Sequence, residues 1–199
     1  MFVLTINNLI IVPIQVERLE LKAGITALVA PSGAGKSRLF AAIADLIVNE
    51  GEVALDGMDR NDMPATEWRK MVRYVSAEPS WWADTAQDHL PNDEKTRQMA
   101  ARFGLAPELF GRQIEQLSTG ERQRFGLLRA LVDEPQVILL DEPTAALDHE
   151  TSLKIEAELL RLAGEGRIIF VISHSEAQIG RIAERVVKIV DGQVSGEEK

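Results

Sequence analysis

The chain has 199 residues, 22 basic and 31 acidic, for a formal net charge of −9. Its 45% apolar and 27% charged content is an ordinary globular balance, which excludes wholesale disorder and suits one domain with a buried core. The absence of cysteine excludes disulfides, thiolate-bound zinc and thiol catalysis. Three scattered histidines (His89, His149, His174) argue against a histidine metal cage, and the acidic balance argues against a non-specific nucleic-acid surface.

In chain order, the first stretch, MFVLTINNLIIV, has neither a basic leading region nor a small-residue cleavage site, so no signal peptide is expected. No apolar run reaches the roughly 18 residues that span a bilayer. The expectation is a soluble, cytoplasmic, single-domain protein over residues 1–199. Residues 2–6 read as a strand, closed by Asn7 and Asn8 as a turn pair. Residues 16–21 alternate in part. Residues 25–29 are an apolar run but for Thr26, which fits a strand buried on both faces. Residues 38–48 carry helical spacing, with Leu39, Ile43, Leu46 and Ile47 on one face.

Residues 51–57 read as a strand ending in an Asp-Gly turn, and residues 71–76 as another strand. The stretch 79–116 is polar and broken by Pro79, Pro91 and Pro107. It reads as a small helical insert with short helices at 93–103 and 107–110. A helix over 121–132, an apolar strand over 137–140, a helix over 151–163, a strand over 168–173 and a helix over 176–184 follow. Residues 186–190 and 193–194 flank Asp191 and Gly192 as a closing hairpin. Strand–helix alternation predicts an α/β fold with a largely parallel sheet.

Between the strand at 25–29 and the helix after it lie Ala30, Pro31, Ser32, Gly33, Ala34, Gly35, Lys36 and Ser37. This is A-x-x-x-x-G-K-S in the strand–helix context that a P-loop requires. Loop and first-turn amides point at anionic phosphates, and the helix dipole adds to the attraction. Lys36 would bridge the β- and γ-phosphates, and Ser37 would set its hydroxyl on Mg²⁺. A glycine-rich turn capping a helix, with a surface lysine, is the plainer reading of the same residues. Ala30 stands at the usual first glycine, harmless at φ < 0 and strained at φ > 0.

The apolar run Val137, Ile138, Leu139, Leu140 ends in Asp141 and Glu142. The end of a buried parallel strand is where open α/β sheets bind ligands. Asp141 there would hold Mg²⁺, and Glu142, pointing to the opposite face, would polarise an attacking water. Alone, the pair also reads as a solvated acidic turn.

Leu117, Ser118, Thr119, Gly120 and Glu121, followed by Arg122, Gln123 and Arg124, resemble the signature motif of the ATP-binding cassette (ABC) ATPases. Other parts fall in family order. Ala145, Ala146, Leu147 and Asp148 resemble the D-loop, Ser173 and His174 resemble the switch histidine, and residues 74–79 occupy the Q-loop position. The resemblance covers essentially the whole chain. It implies an α/β P-loop NTPase of ABC type. Such a fold has a mainly parallel sheet core, an antiparallel N-terminal β part and a small helical subdomain inserted at about residues 79–132.

The resemblance also implies ATP and Mg²⁺. Ala30 to Arg38 would hold the nucleotide, and Ser37, Glu78 and Asp141 the metal. Ser118, Thr119, Gly120 and Glu121 would close over a partner's nucleotide, with Glu142 and His174 as catalytic residues. It implies a homodimer or paired cassette, a separate transmembrane subunit, a place on the cytoplasmic face of the membrane and no direct nucleic-acid binding. Locally, Ser118 and Glu121 form an S-x-x-E capping box, compatible with the signature role. A histidine placed like His174 is locally a structural hydrogen-bonder; in this motif order it contacts the γ-phosphate.

Several positions depart from the pattern. Glu78 replaces the Q-loop glutamine, Thr119 a signature glycine, and Arg38 the common threonine, where it reaches the α-phosphate or faces solvent. Ile10 or Ile11 sits where an adenine-stacking aromatic is expected. The adjacent Trp81 and Trp82 either pack under the helical insert or line a groove for a membrane subunit. The implied function is the ATP-hydrolysing subunit of an ABC transporter. A catalytically weak nucleotide-binding switch and a soluble non-transport ABC ATPase are the alternatives.

Overall fold

The computed structural model describes residues 2–198; the expected domain limits, residues 1 and 199, lie outside them. Its strands are β1 (Val3–Ile11), β2 (Ile14–Lys22), β3 (Gly24–Val29), β4 (Glu50–Leu55), β5 (Met58–Asp59), β6 (Val72–Val75), β7 (Val137–Asp141), β8 (Ile168–Ile172), β9 (Arg185–Val190) and β10 (Gln193–Glu198). Its helices are α1 (Lys36–Ile43), α2 (Ala65–Met71), α3 (Glu94–Arg102), α4 (Thr119–Leu131), α5 (His149–Gly164) and α6 (Glu176–Ile182). Among the described residues the strands form one sheet in the order β5-β4-β1-β2-β10-β9-β3-β8-β7-β6. The run β9-β3-β8-β7-β6 is parallel throughout, while β1, β2, β4 and β5 pair antiparallel. The fold is the expected α/β one.

Strand alternation divides the core in two. Ile138, Leu140, Ile169 and Val171 pack with α4 and α5 on one face of the sheet. Val137, Leu139, Ile168, Phe170 and Ile172 pack with α1, Trp68 and the N-terminal strands on the other. Burial on both faces is why these strands are continuously apolar.

Two expectations are corrected. Asn7 and Asn8 do not close a turn, because β1 runs on to Ile11. Asn8 takes φ 50° where the register between β1 and β4 shifts, so its left-handed backbone serves a bulge. Gly51, at φ 107°, fits opposite because a Cβ there would strike the Asn8 carbonyl. The helix expected over 38–48 ends at Ile43. Asp45 turns left-handed at φ 56°, and the amides of Asp45 and Leu46 bond the carbonyls of Ala42 (3.0 Å) and Ala41 (2.8 Å). That is a Schellman ending, and it leaves Leu46 49% exposed instead of on the apolar face.

Carbonyls at and just past the end of α1 are also met from α2 and the turn before it, neither of which the hydrophobic pattern predicted. Trp68, fully buried, donates its indole N–H to the Ile43 carbonyl at 2.9 Å. Arg60 donates to the Ala42 carbonyl and to Asn49, and Arg69 to the Asp45 carbonyl. These donors fix the far end of the helix whose first turn follows residues 30–35. The start of α4 is capped reciprocally. Ser118 Oγ accepts from the Glu121 amide at 3.2 Å, and the Glu121 carboxylate accepts from the Ser118 amide at 2.7 Å. The bond from the Ser118 amide holds the Glu121 carboxyl below its usual range.

Trp68→Ala should cost about 3–5 kcal/mol through lost packing and the cavity it leaves. Trp68→Phe should cost about 1–3 kcal/mol through the unpaired Ile43 carbonyl. Denaturant unfolding measures both. Because the folded-state pKa of Glu121 is depressed, its capping contribution is complete above the unfolded value near 4.3 and fades as pH falls through the lower folded value. The stability gap between wild type and Glu121→Gln should therefore be full at pH 7 and close on acidification.

Candidate functional site

The parallel strands β3, β8, β7 and β6 end on one edge of the sheet. Each hands on a loop there: residues 30–35 after β3, 173–175 after β8, 142–148 after β7 and 76–85 after β6. Of the residues expected to act within one chain, Lys36, Ser37 and Arg38 are in the first turn of α1, and the others are on these loops or at the strand ends that precede them.

In the first loop, Pro31, Ser32 and Gly33 are exposed, Ala30, Ala34 and Gly35 half-buried, and Ser37 and Arg38 exposed. Gly33 (φ 77°) and Gly35 (φ 91°) take the left-handed backbone that lets the loop curl. Gly35 is also close-packed, since a Cβ would meet Ile14 Cδ1 at 2.9 Å. It caps α1 without a side-chain bond, which leaves the first-turn amides of α1 turned outward. Ala30 is not at positive φ, so it fills the glycine position without strain. Lys36 is 8% exposed and donates to the carbonyls of Ala30 (2.9 Å) and Pro31 (3.1 Å). The loop thus holds its own cation under its amides, as a phosphate cradle requires.

Asp141, 7% exposed at the end of β7, accepts a hydrogen bond from the Tyr74 hydroxyl at 3.1 Å. Burial pushes the Tyr74 hydroxyl well up, and the Asp141 charge adds to it, so Tyr74 is a neutral donor. Ser37 also reaches Tyr74. Ser37 and the free side of Asp141 are hard oxygen donors set together, the small set Mg²⁺ takes when phosphates and water complete its shell. The residues fit that ion. Glu78, expected among its ligands, is exposed, and the side chain from this part of the chain that touches Asp141 is Tyr74.

Glu142 follows the strand and sits at φ 48°, so alternation no longer sets its direction. A non-glycine residue there costs of order 1–3 kcal/mol and stays only where its surroundings fix it. The Glu142 amide donates to the Ile172 carbonyl at 3.0 Å, and Gln123 Nε2 donates to the Glu142 carbonyl at 2.8 Å. Its carboxylate Oε1 lies 3.2 Å from His174 Nε2. The two catalytic candidates therefore meet, and both line a cavity of about 510 Å³ with Ser173, Thr144 and Gln178.

Ser118, Thr119, Gly120 and Glu121 lie elsewhere. Among the described residues no hydrogen bond joins them to residues 30–38; Gly120 instead sits against the Ala146 carbonyl and Leu147. Thr119, at the first position of α4, is not at positive φ, so its branched side chain carries no backbone strain. Asp148 caps α5 by accepting from the Thr151 amide at 2.9 Å. The tryptophans divide their roles. Trp81 packs against the core, while Trp82 is 73% exposed and lines a groove of about 410 Å³ with Arg73, Pro79 and Arg129. The Arg129 guanidinium lies 4.7 Å from each ring centroid and donates to the Ser80 carbonyl. The sequence places Gln123 in the signature run and Tyr74 at the start of the Q-loop stretch but gives neither a contact of its own; a further signal is the polar Gln123 on the otherwise apolar face of α4.

Comparison with known proteins bears on the family and the fold. The family model described as ABC transporter matches residues 17–145. The rice protein STAR1 (Oryza sativa subsp. japonica) is 33% identical over 85% of this chain and 53% of its own length. The phosphonates import ATP-binding protein PhnC of Wolinella succinogenes is 33% identical over 88% of this chain and 74% of its own. The chain thus spans about half the length of the first relative and about three quarters of the second. Among solved structures, the dimeric ATP-binding cassette MJ0796, bound to ADP and Pi in a post-hydrolysis state, matches with a TM-score of 0.84 and 26% identity over 98% of both chains. The chain belongs to the ABC transporter family, with the fold of an ATP-binding cassette.

Proposed function

We propose that this chain is the ATP-binding, ATP-hydrolysing subunit of an ABC transporter and drives a separate membrane subunit through ATP-dependent closure of two cassettes. The observation that carries the reading is the meeting of Glu142 and His174 on the edge that also bears the 30–37 loop and Asp141. Among the described residues no helix is long and apolar enough to cross a membrane. A membrane-spanning partner and a place on the cytoplasmic face follow from the reading.

Lys36 and the loop amides bind the triphosphate, Lys36 exchanging the Ala30 and Pro31 carbonyls for phosphate oxygens. Ser37 and Asp141, the latter oriented by Tyr74, would hold Mg²⁺, with Glu78 as a further oxygen donor from the neighbouring loop. The metal would offset phosphate charge. Glu142 takes a proton from water as the water attacks the γ-phosphorus and the bond to the β-γ bridging oxygen breaks, giving ADP and phosphate. His174 holds the γ-phosphate in line. Ser118, Thr119, Gly120 and Glu121 act from the partner cassette. Their position on Ala146 and Leu147, apart from the chain's own loop, supports a homodimer or paired cassette. Trp82 and its groove, beside the loop after β6, suit a segment of the membrane subunit.

Purified protein should hydrolyse MgATP, and Glu142→Gln should lower turnover by roughly 10²–10⁴-fold while MgATP binding persists. Unchanged turnover in the variant would overturn the mechanism.

The base side of the site gives a second expectation. Ile11 is core-buried and Ile10 lies outside the cavity of about 390 Å³ beside the loop. That cavity is lined by Pro13, Pro31, Ala34, Ile189, Val190, Asp191 and Gly192, none of them aromatic. A wall that is apolar apart from Asp191 and has no side-chain donor to a base discriminates weakly. The kcat/KM for GTP should therefore lie within about tenfold of that for ATP in a parallel steady-state assay.

A further inference from the structure

The geometry points to Gln123 as a positioning residue that holds the catalytic carboxylate through its backbone. The inference rests on the proposed role of Glu142 and adds a residue to it. Gln123 is 4% exposed, on the buried face of α4 among Phe125, Leu127 and Leu128. A buried amide needs partners for both ends. Its Nε2 donates to the Glu142 carbonyl at 2.8 Å, and its Oε1 accepts from the Ala146 amide at 3.2 Å. One side chain therefore spans the turn from Glu142 to Ala146 and ties it to α4.

The turn needs such a tie. Glu142 is in the left-handed region at φ 48°, a conformation it keeps only while its surroundings over-determine it. Its amide is anchored to β8, and its carbonyl also takes the Ala145 amide at 3.2 Å, but that bond is internal to the turn. Gln123 supplies the contact from outside. It also sets which way the Glu142 side chain leaves the backbone, and hence its approach to His174. The same α4 is capped by Ser118, so a shift of that end is transmitted to Glu142 through one hydrogen-bonded amide. Displacement of a general base by about 1 Å lowers rate far more than binding.

The test uses Gln123→Glu, which keeps the length and the acceptor for Ala146 but removes the donor to Glu142, and Gln123→Met, which removes both. Each is measured alone and combined with Glu142→Gln. The expected result is a fall in kcat of about 10–100-fold, with KM and equilibrium MgATP binding within about threefold of wild type. In the Glu142→Gln background the same substitutions should leave the residual turnover unchanged, because Gln123 acts only through Glu142. Three results would overturn the inference: unchanged kcat, a loss confined to KM and binding, or a loss that multiplies with that of Glu142→Gln. If Glu142→Gln alone leaves turnover intact, it is the ATPase assignment of Glu142 that fails. If it collapses turnover while both Gln123 variants remain fully active, only the role of Gln123 fails.

Discussion

Four parallel strands with a shared register, β3, β8, β7 and β6, are the constraint on which the site depends. Parallel pairing directs all four C-terminal ends to one edge, where open α/β sheets gather ligands. Ile172 pairs with Asp141 in the ladder between β8 and β7, and the Glu142 amide continues the same ladder to the Ile172 carbonyl. The spacing of Asp141, Glu142, Ser173 and His174 is therefore set by backbone hydrogen bonds between strands buried on both faces. Side-chain rotamers then need to cover only short distances. This is why a 3.2 Å contact between Glu142 and His174 arises from residues far apart in the chain.

Helix α4 is the second element on which the geometry rests. Ser118 caps its start, Gln123 grips the turn after β7, and Gly126 and Arg129 receive the loop after β6. A Cβ at Gly126 would stand 2.7 Å from Pro79 Cβ, so glycine is what lets that loop lie on the helix backbone. Arg129 then fills the space between the two tryptophan rings, where burial lowers its pKa and the nearby Arg73 lowers it further. A single helix thus carries residues 119–121 at its start and contacts both the turn after β7 and the Trp82 groove. Rigid helices with ties at several levels are the kind of element that carries displacement between sites.

What was legible in the sequence follows from how local each signal is. Residues 137–140 and 168–172 announce buried strands because burial on two faces leaves only apolar side chains, and residues 25–29 do so with Thr26 as their one polar member. The 30–37 loop and the Ser118–Glu121 cap are legible because their chemistry lies within a few consecutive positions. Asn7 and Asn8 mislead because a bulge and a turn use the same left-handed backbone. Helix α2 escapes detection because one residue, Trp68, supplies its buried anchor, and a single apolar side chain makes no period. Tyr74 and Gln123 act on residues distant in sequence, Asp141 and Glu142, so no window along the chain contains both partners.

The polar network behind the site ties the turn after Glu142 to α5 and α6. Glu156, 3% exposed on α5, takes two hydrogen bonds at 2.7 Å from Arg181 on α6 and a third at 3.2 Å from Gln178. The Arg181 bonds hold its carboxyl below the usual range. Gln178 also donates to the Thr144 hydroxyl, in the turn that follows Glu142. Replacing Arg181 alone would strand a buried carboxylate, the costly way to break such a pair. The network therefore joins α5, α6 and the 142–148 turn at a point where apolar packing would allow sliding. Hydrogen-bond geometry restricts direction as well as distance, and direction is what a histidine and a carboxylate at 3.2 Å require of the backbone beneath them.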